Sequence, residues 1–143
     1  MTKIGLAHIL LGFWLIFLAS SGGFFLADHR TDSYLKKDYL ELLSWWMVLQ
    51  KSAHAHTNLF GMLHILTGLS LPYSRLNPTW KCYQFYGLSL GSFAMSVLLF
   101  VRSHHIPSHL ADPLGWVIGG CLSVSLIAQA LHLFGLTLKW YRA

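Results

Sequence analysis

The segment KSAHAHTNLFGMLHILTGLSLP, residues 51–72, sets His54, His56 and His64 inside an apolar stretch long enough to cross a bilayer. Lipid solvates imidazole poorly, and ionisable side chains at such depth are functional candidates by default. Neutral imidazoles in a dry bundle suit two chemistries: axial ligation of haem iron, and capture of a copper or zinc ion. His8 and His132 lie in other apolar segments, and His29, His104, His105 and His109 flank them. In all, nine histidines stand against five acidic residues. A lone intramembrane histidine is equally well explained as a helix–helix hydrogen bonder, worth about 0.6 kcal/mol on average. It is the set that asks for a cofactor.

The elements that must position these residues follow from composition. The chain has 143 residues, enough for one domain, with 55% hydrophobic and only 10% charged residues. A soluble domain carries roughly 25% charged residues, so the expected solvent is membrane lipid. The formal charge of +5 comes without a basic helix or stripe, so nucleic acid is not an expected partner. Cys82 and Cys121 fall at different depths, which argues against a disulfide. Four apolar segments, about 4–27, 54–72, 80–102 and 113–138, approach the roughly 20 residues that a span needs. The expected fold is an all-α, four-helix transmembrane bundle over residues 1–143. Lys3 and the small residues of LASSG also have the form of a secretory signal, but the first segment is expected to be retained as a span.

An even number of spans puts both termini on one side, A. That side carries Lys3, Arg75, Lys81, Lys139 and Arg142 without an acid. Side B mixes Arg30, Lys36, Lys37, Lys51 and Arg102 with all five acids. Short basic ends favour A as cytoplasmic, in a bacterial inner membrane. Between the first two spans, YLELLSWWMVLQK is expected to form a short interfacial helix.

Helical geometry, about 100° and 1.5 Å per residue, then sorts the faces. His54, Asn58, Gly61, His64 and Gly68 share one side of the second span, while His56 points away. Gly5, His8, Gly12, Ala19 and Gly23 align on the first, Gly87, Gly91, Ala94 and Arg102 on the third, and Cys121, Ser125, Gln129 and His132 on the fourth. Such small and polar stripes are inward surfaces in membrane bundles. His8, His64 and His132 fall roughly 7 to 12 Å below side A, a common layer. His54, His56, His104, His105 and His109 form a second group near side B. No carboxylate shares the inner layer, and the glycine faces leave clearance for a flat ring, so haem b, one or two per chain, is favoured over copper or zinc. Lys51 and Arg102 are placed to pair with haem propionates, or to snorkel.

HAHTNLFGML, and especially His56-Thr57-Asn58-Leu59, resembles the start of the second helix in the catalytic subunits of haem–copper oxidases and nitric oxide reductases. It is also similar to the His-x-His element of the NnrS-type haem membrane proteins. The resemblance implies a low-spin haem b ligand near the outer face at His56, with His54 as the alternative. It covers about twenty of the 143 residues. Those subunits have many more spans, and their copper- or iron-site histidines have no counterpart here.

The expectation is therefore a b-type haem membrane protein with an inner site from His8, His64 and His132. An outer site would join His54 or His56 to His104, His105 or His109. Quinol-linked electron transfer with a redox partner, or binding of a diatomic gas, would follow, as a membrane oxidoreductase component. A copper- or zinc-binding transporter and a cofactor-free assembly scaffold are the alternatives. Gly87 and Gly91 could form an outward face for self-association. No nucleophile constellation or phosphate-binding glycine loop is present.

Overall fold

Thr2, Ser44, Asn77 and Asp112 each precede a long apolar run, and each side chain caps a helix. Their oxygens accept from the amides of Gly5 (3.1 Å), Met47 (3.2 Å), Trp80 (2.9 Å) and Leu114 (3.1 Å). Pro78 and Pro113 stand in the first turn, where the missing N–H costs nothing. The computed structural model describes residues 2–106 and 112–141. His109 and Arg142 lie outside the described residues.

The elements in order are α1 (Lys3–Leu35), the single turn α2 (Tyr39–Leu42), α3 (Trp45–Ser70), a 3-10 turn (Leu71–Tyr73), α4 (Pro78–Phe93), α5 (Leu99–Ser103) and α6 (Pro113–Trp140). Between α4 and α5 the helix widens over Ala94–Leu98, where the Leu99 amide bonds the Ala94 carbonyl five residues back. The rod Pro78–Ser103 is otherwise continuous. No strand occurs among the described residues. α1 and α3 are the most intimate pair, α4 packs antiparallel on α6, and the middle of the α4–α5 rod closes against α3.

Among the described residues three helices are long and apolar enough to cross a membrane: Lys3–Leu35, Pro78–Ser103 and Pro113–Trp140. The chain is therefore compatible with an integral membrane protein. α3, with 26 residues, is about 39 Å long, enough to cross. Its polar first half, QKSAHAHTN, keeps it off that set. The surface is inverted relative to a soluble domain. Phe13, Phe17, Phe24, Phe25 and Leu133 are exposed, while His8, His64, Gln84, Ser92 and Ser125 are buried.

Two expected boundaries shift. α1 runs eight residues past 27, because Asp28, Arg30 and Asp32 continue the helix beyond its apolar part. It ends at a turn in which Lys37 adopts a left-handed φ of 58°, letting the Asp38 amide reach the Ser33 carbonyl at 2.9 Å. The interfacial segment is not one helix. Ser44 restarts the chain, so Trp45–Lys51 belong to α3 and only the single turn α2 stays separate. Gly87 and Gly91 do not face outward either. They pack on Ala128 and Ser125 of α6, so that stripe is used within the chain.

One ion pair ties the B-side ends. Arg102 Nε donates to Asp112 Oδ2 at 2.6 Å, its guanidinium lies 5.2 Å from the Trp45 ring, and the Trp45 indole donates to the Arg102 carbonyl. Partial burial pushes the Asp112 carboxyl up. The Gly115 amide, the Arg102 guanidinium and the Leu114 amide outweigh it and hold the carboxyl below its ordinary value. The carboxylate thus stabilises the folded chain above its unfolded pKa of about 3.9, and this is lost as pH falls through the lower folded value. Asp112→Asn keeps a capping oxygen but drops the charge. It is expected to melt below the parent at neutral pH in detergent and to converge with it in acid; an equal gap at both would overturn the assignment.

Candidate functional site

The closeness of α1 and α3 builds the inner histidine pair. A Cβ on Gly12 would stand 2.6 Å from the Gly61 carbonyl oxygen, and one on Gly68 would stand 2.6 Å from that of Gly5. The two backbones therefore touch, and His8 and His64 meet between them. Their Nδ1 atoms are 2.8 Å apart, both rings are wholly buried, and Phe85 stands edge-on to His8 at 4.9 Å.

The proton positions follow from the neighbours. A hydroxyl has a single proton to give, and a carbonyl only accepts. With the Ser92 hydroxyl donating to the Leu88 carbonyl at 2.9 Å, as helical serines commonly do, its oxygen is assigned as the acceptor for His64 Nε2 at 3.1 Å. With its proton on Nε2, neutral His64 presents a lone pair at Nδ1. His8 must then donate from Nδ1, leaving Nε2 as a bare acceptor. That atom is buried and without a partner.

His132 repeats the pattern. Ser70 Oγ donates to the Leu66 carbonyl at 2.6 Å, so at 2.7 Å it accepts from His132 Nε2. The His132 Nδ1 lone pair is left buried and unpartnered, as are both amide atoms of Gln84 and the hydroxyl of Ser125. Each such atom costs about 1–3 kcal/mol if nothing answers it. The inner trio is thus only half assembled. His8 and His64 touch, whereas His132 sits against the last turn of α3.

His54 serves a different space. Its Nδ1 lies 3.0 Å from the Ala19 carbonyl and must donate to it, which leaves the lone pair on Nε2. The ring rests against Gly23, where a Cβ would overlap it. It lines a groove of about 560 Å³ between α1, α3 and the widened part of the α4–α5 rod. The walls are mainly apolar, among them Leu15, Ala19, Phe25, Val97 and Phe100. Polar groups are few: His54, Gln50, Thr57, Ser96 and, at the B-side mouth, His29. A pocket of this size and lining has the form of a small-molecule or cofactor site. The widened helix at its wall is also a feature often found at functional sites.

Among the described residues the outer group does not gather. His56 turns back on its own helix, donating to the Ser52 carbonyl at 2.8 Å. His104 packs on Phe100 and Trp46, while His105 and Lys51 are exposed. Arg102, expected to meet a propionate, has Asp112 as its carboxylate. Among the described residues no three of His, Cys, Asp and Glu converge as a metal site would require. Sequence reasoning overlooked Gln84, Ser70 and Ser92. Only Gln84 had a signal, three residues before Gly87 on the same helix face. Compared with protein-family models, curated proteins and solved structures, the chain matches none of them.

Proposed function

We propose that the chain is a four-span membrane protein, α3 being the fourth span, that holds b-type haem in the groove with His54 Nε2 as an axial ligand. The observation that carries this reading is His54 itself. The Ala19 carbonyl fixes its tautomer, as an outer partner does for a ligating histidine. Its bare nitrogen belongs to a ring that lines an apolar groove of about 560 Å³. Ala19 and Gly22 keep the α1 wall low beside it.

The inner pair fits such a group less well. Two metal–nitrogen bonds of about 2.0–2.1 Å would hold axial nitrogens about 4 Å apart, and the facing nitrogens of His8 and His64 are already at 2.8 Å. One haem rather than two is the reading. Bound haem iron supplies a one-electron couple and a coordination position for a diatomic gas. The chain's own residues orient and seal: Ala19 aims His54, Phe25 and Phe100 exclude water, and Lys51, one turn before His54, offers a charge for an anionic edge. Electron transfer linked to a quinol is the proposed role, and gas binding is the second.

The test is the absorption spectrum of purified protein in detergent, oxidised and reduced, with pyridine extraction and metal analysis. The expected result is a Soret band with sharp reduced α and β bands, lost in His54→Ala and kept in His56→Ala. Colourless protein with stoichiometric copper or zinc would replace haem by a metal ion. Colourless, metal-free protein after haem-supplemented expression would leave the histidines structural.

A further inference from the structure

The inner polar atoms have no part in the groove chemistry, yet they have a direction. From His8 the bonds run one way: Nδ1–H to His64 Nδ1, His64 Nε2–H to Ser92 Oγ, and the Ser92 hydroxyl to Leu88. One turn on, the Ser96 hydroxyl bonds the Ser92 carbonyl at 2.6 Å, and Ser96 lines the groove. The other end of this line is the His8 Nε2 lone pair, buried and unanswered.

His132 bonds Ser70, two residues past the Gly68 on which His8 packs, and its own lone pair is unanswered. Gln84 belongs at the same level. α4 and α6 pack antiparallel, with Gly91 on Ser125 and Gly87 on Ala128, so one turn earlier on α4 faces one turn later on α6. Gln84 is 1% exposed, and its amide oxygen and nitrogen are both unpartnered. Two lone pairs and a carboxamide that no protein group satisfies are a setting for ordered water, which needs two to four polar partners. Below it, His132 bonds Ser70 in the last turn of α3, near Lys81, whose ammonium caps the Leu71 carbonyl at 3.1 Å. The ionisable groups along this line are therefore His8 on α1, His64 on α3, Lys81 on α4 and His132 on α6.

We infer that His132, Gln84, His8, His64 and Ser92 form a proton relay from the end of the bundle that carries both termini to the groove. Buried histidine chains are a recurrent means of moving protons through membranes. A proton reaches His8 Nε2 from water held at Gln84, which the His132 Nδ1 lone pair anchors as an acceptor and which is refilled with a proton from that end of the bundle. His8 releases its Nδ1 proton to His64 Nδ1, and His64 releases its Nε2 proton to Ser92 Oγ. The Ser92 hydroxyl turns from Leu88 and gives up its own proton to water on the groove side, where Ser96 lies one turn further along the rod. One proton enters, one leaves, and no electron moves. The two rings are left in the opposite tautomers and must turn over before the next passage. Tight packing against Phe85 makes that reset the slow step.

The inference rests on the groove being the seat of function, and the experiment separates the two. The full chain is reconstituted in liposomes enclosing pyranine, and a potassium diffusion potential is set with valinomycin. Proton influx is expected above that of protein-free vesicles, and slower in deuterium oxide. Ser92→Ala, which removes a single hydroxyl, and the paired change His8→Leu with His64→Leu are expected to fall to the protein-free level. Ser123→Ala, which removes an exposed hydroxyl from α6, is expected to keep the flux. A parent indistinguishable from protein-free vesicles, or flux retained in Ser92→Ala and the paired variant, overturns the relay. A haem spectrum recorded on the same vesicles reports on the groove: colour without flux sinks the relay alone, and flux without colour sinks the haem alone.

Discussion

Gly12→Leu is expected to cost the folded protein about 3 kcal/mol or more, the upper range for overpacking a close contact. The first added carbon would stand 2.6 Å from the Gly61 carbonyl oxygen, 2.7 Å from Ile65 Cγ1 and 3.1 Å from the Ile65 amide nitrogen. Two of these three are backbone atoms, which no rotamer can clear, so α1 must move off α3. Both histidine sites depend on that contact. His8 reaches His64 one turn toward the A end, and His54 reaches Ala19 two turns toward the B end. Separation would open the groove and break the pair together. Gly120→Ala is the control: an added carbon there meets nothing within 4 Å. It should gain up to about 1 kcal/mol of helix propensity. Unfolding in mixed micelles, followed by tryptophan fluorescence, reads both. A Gly12→Leu protein as stable as the Gly120→Ala protein would mean that α1 and α3 are not in backbone contact.

Helix faces were legible in the sequence because they depend only on rotation about one axis. Of the stripe Gly5, His8, Gly12, Ala19 and Gly23 all but the half-buried Gly23 are buried as the spacing implies, and on the facing helix Gly61, His64 and Gly68 are buried while His54 and Asn58 are half-buried. Depth was less legible, because it needs the offset between helices. Residue counting puts His132 in one layer with His8 and His64, yet it bonds Ser70, in the last turn of α3. Helix ends were legible only where the apolar run itself begins at a cap. The fourth apolar run starts at Pro113, where α6 begins behind its Asp112 cap, whereas α3 begins at Trp45 behind its Ser44 cap, nine residues ahead of the apolar run expected from 54. The hydroxyls that set the tautomers were out of reach. Ser92 lies 28 residues from His64 and Ser70 lies 62 from His132, and nothing local announces either pairing. The Arg102–Asp112 pair spans ten residues and could have been read. An acid just past a basic span end competes with any bound carboxylate for that guanidinium.

The proton positions assigned to the inner pair make His64→Leu and His8→Leu unequal, although the two rings share one hydrogen bond. Removing His64 leaves the His8 Nδ1–H without an acceptor, beside an Nε2 that has no partner already. An orphaned buried donor costs about 1–3 kcal/mol, and His64→Leu is expected near the middle of that range. Removing His8 orphans only the His64 Nδ1 lone pair, and it deletes the unanswered Nε2 in the same stroke. One lone acceptor replaces another, so His8→Leu should cost well under the His64 change. Making both changes leaves no imidazole to satisfy, since replacing both partners by apolar groups of similar shape is close to neutral. The second substitution should therefore restore stability lost to the first. A coupling of about 1–2 kcal/mol is expected, toward the top of the range for hydrogen bonds between membrane helices, because both rings are wholly buried. The four proteins of the cycle, unfolded under the same micelle conditions, give that number directly. Equal single costs that simply add would show that the Nδ1–Nδ1 contact is not the directed bond described here. Nitrogen-15 shifts of labelled histidine give the same answer without perturbing the pair, since Nδ1–H and Nε2–H imidazoles differ. The expected pattern is the first for His8 and the second for His64; the reverse pairing would leave the single Ser92 proton between two acceptors, the Leu88 carbonyl and a bare His64 Nε2.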